Sequence, residues 1–187
     1  MVPENDLVIA LQNNKQKEAA FRELVSQYKE RLYWHIRKIV LNHDDTDDVL
    51  QNTFIKIYKN IHSFKGDSKL YTWMYRIATN ESITFINKRA KRKQISSEEI
   101  KESAIQNLTS DVYFEGKSIQ IQLQKAIATL PPKQQLVFNM KYFDEHTYEE
   151  LSEILETSVG GLKSSYHIAV KKITEYLKTN ESSFTAT

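Results

Sequence analysis

Basic, amide and hydroxyl side chains at helical spacing are the residues of this chain best suited to chemistry, and that chemistry is nucleic-acid binding. In the last third of the sequence, one face of a predicted helix carries polar residues: Lys163, Ser164, Ser165, His167, Lys171 and Lys172. The opposite face is apolar at steps of three and four: Val159, Leu162, Tyr166, Ala169 and Ile173. Lysines bind phosphates, whereas hydroxyl and imidazole groups bond to base edges, so we expect this helix to lie in a DNA major groove.

A short helix precedes that polar helix and completes a helix-turn-helix pattern. Thr147 is a favourable N-cap, and Glu150 three residues later completes a capping box. The turn follows at Glu156, and we expect Tyr166 in the next helix to pack in the core. Two helices joined by a turn also occur in ordinary bundles, so the motif alone leaves DNA binding and plain helix packing open.

A second polar face lies in the middle of the chain. Residues at steps of four, four, three and four share it: Arg76, Asn80, Thr84, Asn87 and Lys91. Cations there suit phosphates, and the two asparagine amides offer donors and acceptors to bases. From Lys88 to Lys93, five of six residues are basic. This run favours DNA contact over a merely solvated helix end.

Aromatic residues surround the loop that precedes this face. They are Phe64, Tyr71, Trp73 and Tyr75, and the loop between them contains Lys65, Gly66, Asp67 and Ser68. Single-stranded bases stack on aromatic rings beside a cationic groove. The alternative is that the rings fill the core, and for Trp73 we expect core packing.

An acidic cluster begins another helix: Asp44, Asp45, Asp47 and Asp48. Carboxylates can bind Mg²⁺ or Ca²⁺, but no second set of ligands at matching spacing accompanies them. We therefore expect no metal site, and we attribute the acids to the favourable dipole at a helix N-terminus. The outward face of this helix combines Asp48, Gln51, Ile55 and Tyr58, which suits a protein contact, although a routine surface would look similar.

The composition is that of an ordinary globular protein, with 27% charged and 40% hydrophobic residues. The absence of cysteine excludes disulfides, thiolate zinc sites and a cysteine nucleophile. No HExxH pattern, Gly-rich phosphate loop or nucleophile elbow occurs, so we expect neither enzyme activity nor a cofactor. The N-terminus does not resemble a signal peptide and no apolar run approaches about 20 residues, so we expect a cytoplasmic protein without membrane insertion.

Scarce glycine (4) and proline (3), together with helical periodicity, predict an all-α protein of two helical domains. Helices are expected at about 4–13, 15–41, 45–61, 69–91, 119–130 and 132–142, before the helix-turn-helix. The buried stripe of the fourth is expected to contain Leu70, Trp73, Met74, Ile77 and Phe85. Residues 94–118 lack a sustained stripe and predict a flexible linker, with some helix near 98–107. The domains are therefore placed at 1–93 and 119–179, with a tail at 180–187.

In this order, the segments resemble the extracytoplasmic-function (ECF) group of bacterial sigma-70 family RNA polymerase sigma factors. Asp47-Asp-Val-Leu-Gln-Asn-Thr-Phe is similar to the acidic E-D-x-x-Q-x-x-F segment of that family. Phe64-Lys-Gly-Asp-Ser and Thr72-Trp-Met-Tyr-Arg-Ile-Ala-Thr-Asn are similar to F-x-G-x-S and T-W-L-Y-R-I-A-x-N. Leu130-Pro-Pro-Lys-Gln-Gln-Leu-Val-Phe is similar to L-P-x-x-x-R-x-V-F, and the resemblance extends from about residue 21 to 177.

The resemblance implies a region 2-like bundle and a region 4-like helix-turn-helix that bind core RNA polymerase, through its β and β′ subunits, and promoter DNA. Implied polymerase contacts are Asp47, Asp48, Gln51, Ile55 and Tyr58. Implied contacts to the −10 element, which this family melts, are Phe64, Lys65, Ser68, Lys69, Tyr75, Arg76, Asn80, Asn87, Lys88 and Lys91. Implied contacts to the −35 element are Thr147, Gly160, Lys163, Ser164, Ser165, His167 and Lys171. An anti-sigma factor is implied as a further partner.

The sequence departs from the family pattern at several positions. Thr84 stands where the family usually has Asp, and Asn87 stands where it has Arg. In the second helix of the helix-turn-helix, the family usually has basic residues at three positions that are occupied here by Ser165, Ile168 and Val170. Because each phosphate contact adds about one unit to the salt dependence of DNA binding, we expect weak −35 binding by the isolated protein.

Two other functions stay open from the residues alone. A polymerase-independent helix-turn-helix regulator would use the N-terminal helices for dimerisation or effector binding, and it would bind a palindromic site by itself. A helical-bundle metal enzyme would use the acidic clusters and would contain stoichiometric metal.

Overall fold

The computed structural model describes residues 2–94, Ser96, Glu99 and 118–180, and every regular element within these residues is helical. The elements are α1 (Glu4–Gln12), α2 (Lys17–Val40), α3 (His43–Asn60), a 3-10 turn (Ile61–Ser63), α4 (Leu70–Lys93), α5 (Ser118–Ala128), α6 (Pro132–Tyr142), α7 (Tyr148–Leu155) and α8 (Val159–Thr179). The all-α prediction is confirmed, and the helices begin and end close to the expected positions.

The chain divides into two compact units, Met1–Ile86 and Asn87–Thr187. This division falls inside α4, ahead of the limit at residue 93 expected from the sequence. Most of the expected linker, including nearly all of the stretch near 98–107 where some helix was expected, lies outside the described residues. Ser96 and Glu99 are described, and each backbone N–H donates to the other's side chain, at 2.6 Å and 3.0 Å. The hydrogen bond that the Glu99 carboxylate accepts from the Ser96 N–H lowers the pKa of that carboxyl.

Fully buried aliphatic side chains hold the first unit together. α1 packs on α2 and on the 3-10 turn, and α2 packs on α3. The aliphatic side chains with 1% exposure or less include Leu7, Leu11, Leu24, Leu32, Ile36, Ile57 and Ile61. Their spacing at multiples of four residues gives each helix one apolar side, which explains why these segments fold as amphipathic helices around a common core.

The buried side of α4 differs from the expected stripe. Leu70 and Met74 are buried as predicted, but Trp73, Ile77 and Phe85 are only partly buried. The buried positions are instead Leu70, Thr72, Met74, Tyr75, Ala78, Thr79, Ser82, Ile86 and Ala90. Small and hydroxyl residues can occupy this side because the Thr79 and Ser82 hydroxyls donate to carbonyls one turn earlier, each at 2.8 Å. A hydrophobicity pattern misses Thr79 and Ser82, since their hydroxyl groups are satisfied by carbonyls of the same helix.

The core of the second unit lies where α5, α6 and α8 meet. It contains Ala126, Ile127, Leu130, Phe138, Ala169 and Ile173. The expected helix break is present, since Pro131 caps α6 in an extended conformation and Pro132 occupies its first turn. Proline suits the first position of a helix because the missing N–H has no partner there in any case.

The helix-turn-helix consists of α7 and α8, and its predicted capping box is confirmed. The Glu150 N–H donates to Thr147 Oγ1 at 3.2 Å, and the Thr147 N–H donates to Glu150 Oε2 at 2.9 Å. Glu156 ends α7 in a left-handed conformation with φ of 50°. The Ser158 hydroxyl then accepts from the Gly161 N–H at 3.3 Å and begins α8. Local side-chain chemistry therefore determines both helix starts.

We expect Thr147→Ala to lower the free energy of unfolding of the second unit by about 1 kcal/mol, because the Glu150 amide loses its acceptor. Thr147→Ser keeps the hydroxyl and should match the parent protein. Both tryptophans, Trp34 and Trp73, belong to the first unit. Urea unfolding followed by circular dichroism should therefore shift, while the tryptophan fluorescence transition stays in place. Equal shifts in both transitions would contradict this assignment.

Candidate nucleic-acid interface

A buried hydrogen bond determines which side of α4 faces solvent. His35 Nε2 of α2 lies 2.9 Å from Thr79 Oγ1, and the His35 ring lies 4.7 Å from that of Tyr75. The Thr79 hydroxyl hydrogen is already donated to the Tyr75 carbonyl. The imidazole must therefore be the donor to Thr79. All three side chains are 2% exposed or less, so this side of α4 is fixed on α2 and the opposite side is left to solvent.

The polar face predicted for α4 occupies the side away from His35. Asn80, Thr84, Asn87 and Lys91 are exposed, and Arg76 is partly buried. Lys88 is also exposed, and Lys91, Arg92 and Lys93 form the basic last turn. The structure therefore aligns amides and a hydroxyl with a cationic end, which is an arrangement able to contact bases and phosphates.

The loop before α4 exposes two of the predicted lysines, Lys65 and Lys69, with Ser68 partly exposed. Lys69 Nζ lies 5.4 Å from the centre of the Tyr71 ring, within cation–π range. Gly66 has φ of 79°, a left-handed conformation that favours glycine, and no atom lies within 4 Å of the position of its missing Cβ. The loop thus presents cations next to open space.

Two residues predicted to contact the −10 element are placed in the core instead. Tyr75 is 2% exposed and packs on His35, while Phe64 is 8% exposed and lies 5.4 Å from the Trp73 ring. Neither ring has an accessible face, so both support the surface from beneath. Trp73, which we expected to pack in the core, is only partly buried, as is Tyr71. These two rings are the aromatic faces beside the loop.

The helix-turn-helix exposes most of its predicted DNA contacts. On and before α8, Thr147, Gly160, Lys163, Ser164, His167 and Lys171 are exposed, and Ser165 is partly buried. The apolar side of α8 is buried through Leu162, Ala169 and Ile173. Tyr166 packs on this side, stacked on Phe138 at 5.8 Å, and burial raises the pKa of its phenol. The expectation that Tyr166 belongs to the core is consistent with this packing.

Two lysines flank the Tyr148 ring at the start of α7. Lys141 Nζ lies 5.1 Å and Lys163 Nζ 5.6 Å from the ring centre. Lys141 also donates to the His146 carbonyl at 2.9 Å, which fixes its position. Helical spacing does not reveal Lys141 and Tyr148 as part of the site, because their contact joins α6, α7 and α8 and spacing shows only neighbours on one helix. Together they produce a positive patch at the exposed end of the helix-turn-helix.

The predicted polymerase contacts form one side of α3. Asp47, Asp48, Gln51 and Ile55 are exposed, Ile55 to 44%, and Tyr58 is partly buried. At the helix start, the Asn42 side chain accepts from the Asp45 N–H at 2.9 Å. The acidic cluster therefore surrounds a capped N-terminus, where the helix dipole favours negative charge.

Beside this side of α3 lies a mainly apolar groove of about 550 Å³ between α2 and α3. Its lining residues are Glu18, Phe21, Arg22, Val25, Gln51, Phe54, Ile55, Tyr58 and Lys59. Phe21 and Val25, on the side of α2 that lines the groove, are only partly buried. The groove joins α2 to the candidate protein-contact surface, and its apolar floor suits a protein partner.

Within the part of the chain that the structure describes, no group of three or more acidic or histidine side chains is placed to hold a metal ion. In the same residues, no helix combines the length and apolar character required to cross a membrane.

Comparison with known proteins gives two family matches. Residues 24–92 match Sigma-70 region 2, and residues 120–173 match Sigma-70, region 4. The ECF RNA polymerase sigma factor SigW of Bacillus subtilis (strain 168) is 32% identical over 164 residues, which cover 83% of this chain and 88% of that protein. The ECF RNA polymerase sigma-E factor of Haemophilus influenzae is 30% identical over 153 residues, covering 78% of this chain and 80% of that protein.

Solved structures share the fold at lower sequence identity. CnrH, in complex with the cytosolic domain of CnrY, is 19% identical with a TM-score of 0.69, and the match covers 95% of this chain and 98% of that one. The sigma factor RpoE of Bartonella quintana, in complex with the anti-sigma factor NepR, is 20% identical with a TM-score of 0.66, covering 84% and 96%. From the two matched regions and the identity to SigW, the chain belongs to the ECF RNA polymerase sigma factors, which bind core RNA polymerase and direct promoter recognition and opening for transcription initiation.

Proposed function

We propose that three surfaces of this sigma factor bind three different targets: core polymerase, the −10 element and the −35 element. The core surface consists of Asp47, Asp48, Gln51, Ile55 and Tyr58. The −10 surface consists of Lys65, Ser68, Lys69, Arg76, Asn80, Asn87, Lys88 and Lys91. The −35 surface consists of Thr147, Gly160, Lys163, Ser164, Ser165, His167 and Lys171. The observation that carries the proposal is the exposed polar side of α4, because it combines amides and cations next to a lysine-bearing loop.

On the −10 surface, binding of unstacked bases offsets the cost of opening the duplex. Unstacking and unpairing cost a few kcal/mol per base, so a surface that binds only the separated strand shifts the equilibrium toward the open state. Asn80 and Asn87 supply amide groups to base edges, while Lys88 and Lys91 contact phosphates. The partly exposed rings of Tyr71 and Trp73 are available for stacking.

On the −35 surface, the N-terminal half of α8 enters the major groove of duplex DNA. Ser164 and His167 are the exposed groups aimed at bases, and Lys163 and Lys171 contact phosphates. Thr147 has its hydroxyl oxygen engaged in the capping box, so its contribution is to hold α7 in place. Lys141 joins this surface through Tyr148, as a cation of the same patch.

The core surface recruits the polymerase, which supplies the catalysis, and the chain itself is not an enzyme. The exposed Asp47 and Asp48 lie on the same side of α3 as the exposed Ile55. This combination suits a partner surface that has an apolar contact area surrounded by basic residues, because charges at interfaces tend to be complementary. The working limits are a region 2-like domain at 1–93, a linker at 94–118, a region 4-like domain at 119–179 and a tail at 180–187. The protein acts in the cytoplasm, where its polymerase is.

An anti-sigma factor is the further partner in this proposal. Support comes from the structurally similar sigma factor RpoE, which was solved in complex with the anti-sigma factor NepR. The names of the relatives also favour a polymerase-bound role over the polymerase-independent regulator. The experiment that tests the whole proposal is transcription in vitro by core polymerase, with and without this chain. Start-site selection that does not depend on the chain would overturn it.

Asp48→Arg should weaken the affinity for core polymerase on the order of a hundredfold, because a like charge then faces a basic partner. Gln51→Ala should act in the same direction. Asp6→Arg, at an exposed aspartate of α1, is the matched charge reversal and should bind normally. Affinity is measured by fluorescence anisotropy of labelled protein, with circular dichroism to verify folding. Normal binding of Asp48→Arg would remove α3 from the proposed core surface.

Asn80→Ala should reduce open-complex formation by about tenfold while closed-complex binding stays nearly unchanged, because the amide contacts only separated bases. Asn5→Ala, at an exposed asparagine of α1, serves as the control. Permanganate footprinting measures opening, and a filter assay at low temperature measures closed binding. Equal losses in the two steps would show that Asn80 acts before strand separation.

Lys163→Ala should lower the slope of log K against log salt for −35 duplex binding by about one unit, because one phosphate contact is lost. Tyr148→Leu should give part of the same loss, since the ring that positions Lys163 is removed, whereas Tyr148→Phe should not. Lys178→Ala changes an exposed lysine in the last turn of α8 and should leave the slope unchanged. Titrations of holoenzyme on upstream duplex at four salt concentrations provide the measurement. An unchanged slope for Lys163→Ala would exclude Lys163 from the interface.

A further inference from the structure

Two side chains of α1 hold the loop that carries Lys65 and Lys69 at both of its ends. At the start of the loop, Gln12 Nε2 donates to the Phe64 carbonyl at 2.9 Å and to the Ile61 carbonyl at 3.3 Å. At its end, the Leu70 N–H donates to Glu4 Oε1 at 2.7 Å. The Leu70 amide begins α4, so Glu4 acts as a helix cap supplied from 66 residues away.

The helix that provides these groups is itself firmly placed. Leu7 is 1% exposed and Leu11 is 0% exposed, and α1 packs on α2 and on the 3-10 turn. The pKa of the Tyr28 phenol on α2 is raised, mainly by burial and secondly by the nearby negative charge of Glu4. α1 lies outside residues 24–92, which match Sigma-70 region 2. These contacts are therefore a feature of this chain that the family match does not cover.

Between the two anchors, the loop carries the groups of the −10 surface. Lys65, Gly66, Asp67 and Lys69 are exposed, and Gly66 adopts its left-handed conformation with open space around it. Glu4 and Gln12 are eight residues apart, or about 12 Å along a helix. A rigid spacer of that length sets the separation between the two loop ends.

We propose that α1 is a brace that presets the loop for capture of a separated promoter base, with Glu4 and Gln12 as positioning residues. The inference rests on the proposed role of the loop in the −10 surface. A loop that is already ordered loses less conformational freedom when DNA binds, which favours binding without any added contact to the DNA. Glu4 and Gln12 themselves do not touch the DNA in this scheme.

The first test requires no DNA. In the full-length chain, amide hydrogen exchange of residues 62–70 should become at least about threefold faster in Gln12→Ala and in Glu4→Ala, because each variant releases one loop end. Glu4→Gln keeps an oxygen acceptor for the Leu70 amide and should restore most of the protection. Asp6→Ala and Gln16→Ala change exposed residues of α1 and of the turn after it, and they serve as controls. Unchanged exchange in both Gln12→Ala and Glu4→Ala would overturn the proposal that α1 braces the loop.

The second test measures its consequence in the holoenzyme. Binding to a single-stranded −10 oligonucleotide should weaken by about 3- to 10-fold in Gln12→Ala and Glu4→Ala, because each variant loses the hydrogen bonding that holds one loop end. Core affinity and binding to −35 duplex should not change, which separates a positioning role from general destabilisation. Faster exchange with full oligonucleotide affinity would overturn the functional role of the brace. Failure of the parent holoenzyme to bind the oligonucleotide would instead overturn the proposed −10 surface, and the exchange experiment alone would then decide whether α1 braces the loop.

Discussion

The packing of α4 on α2 is the constraint on which the DNA-facing side of the first unit depends. His35, Tyr75 and Thr79 form a closed set in which the imidazole donates to the hydroxyl and the hydroxyl donates to the Tyr75 carbonyl. A rotation of α4 about its axis would bury the Asn80 amide and would leave the buried His35 N–H of α2 without its acceptor. The free energy of a buried unsatisfied polar group is about 1–3 kcal/mol, so the hydrogen bonds specify the orientation of α4 more sharply than apolar contacts do.

The separation along the chain between interacting residues explains which parts of the molecule the sequence could predict. Helix limits and the capping box of Thr147 and Glu150 depend on neighbours within four residues, and spacing alone predicted them. The polar strip of α4 was also predicted, because exposed residues follow simple periodicity. The burial of Tyr75 and Phe64 was not, since an aromatic residue beside a loop suits stacking on a base as well as packing in a core. The contacts of Glu4 and Gln12 join residues 49–66 positions apart, a distance at which local patterns carry no information.

The two DNA surfaces differ in how they obtain positive charge. On α4 the basic residues lie close together in the run from Lys88 to Lys93, so the sequence shows them directly. On α8, Ser165, Ile168 and Val170 stand where the family pattern usually has basic residues. Part of the remaining positive charge comes from Lys141 and Lys163, whose ammonium groups both lie over the Tyr148 ring. A ring that holds two ammonium groups keeps like charges close together at a reduced penalty, because each faces the negative side of the π system. The patch is therefore a tertiary feature, and helix periodicity underestimates it.

Magnitudes indicate why the order of the −10 loop matters. Fixing the backbone of one residue costs about 1–2 kcal/mol, so ordering the five residues from Lys65 to Lys69 at the moment of DNA binding would cost on the order of 5 kcal/mol or more. That cost is similar to the unstacking and unpairing of one or two bases. A loop ordered beforehand leaves the full energy of base capture available for opening the duplex. A loop ordered by the DNA would use much of that energy on itself. The placement of α1 against both loop ends is therefore relevant to strand opening even though α1 is not part of the proposed contact surface.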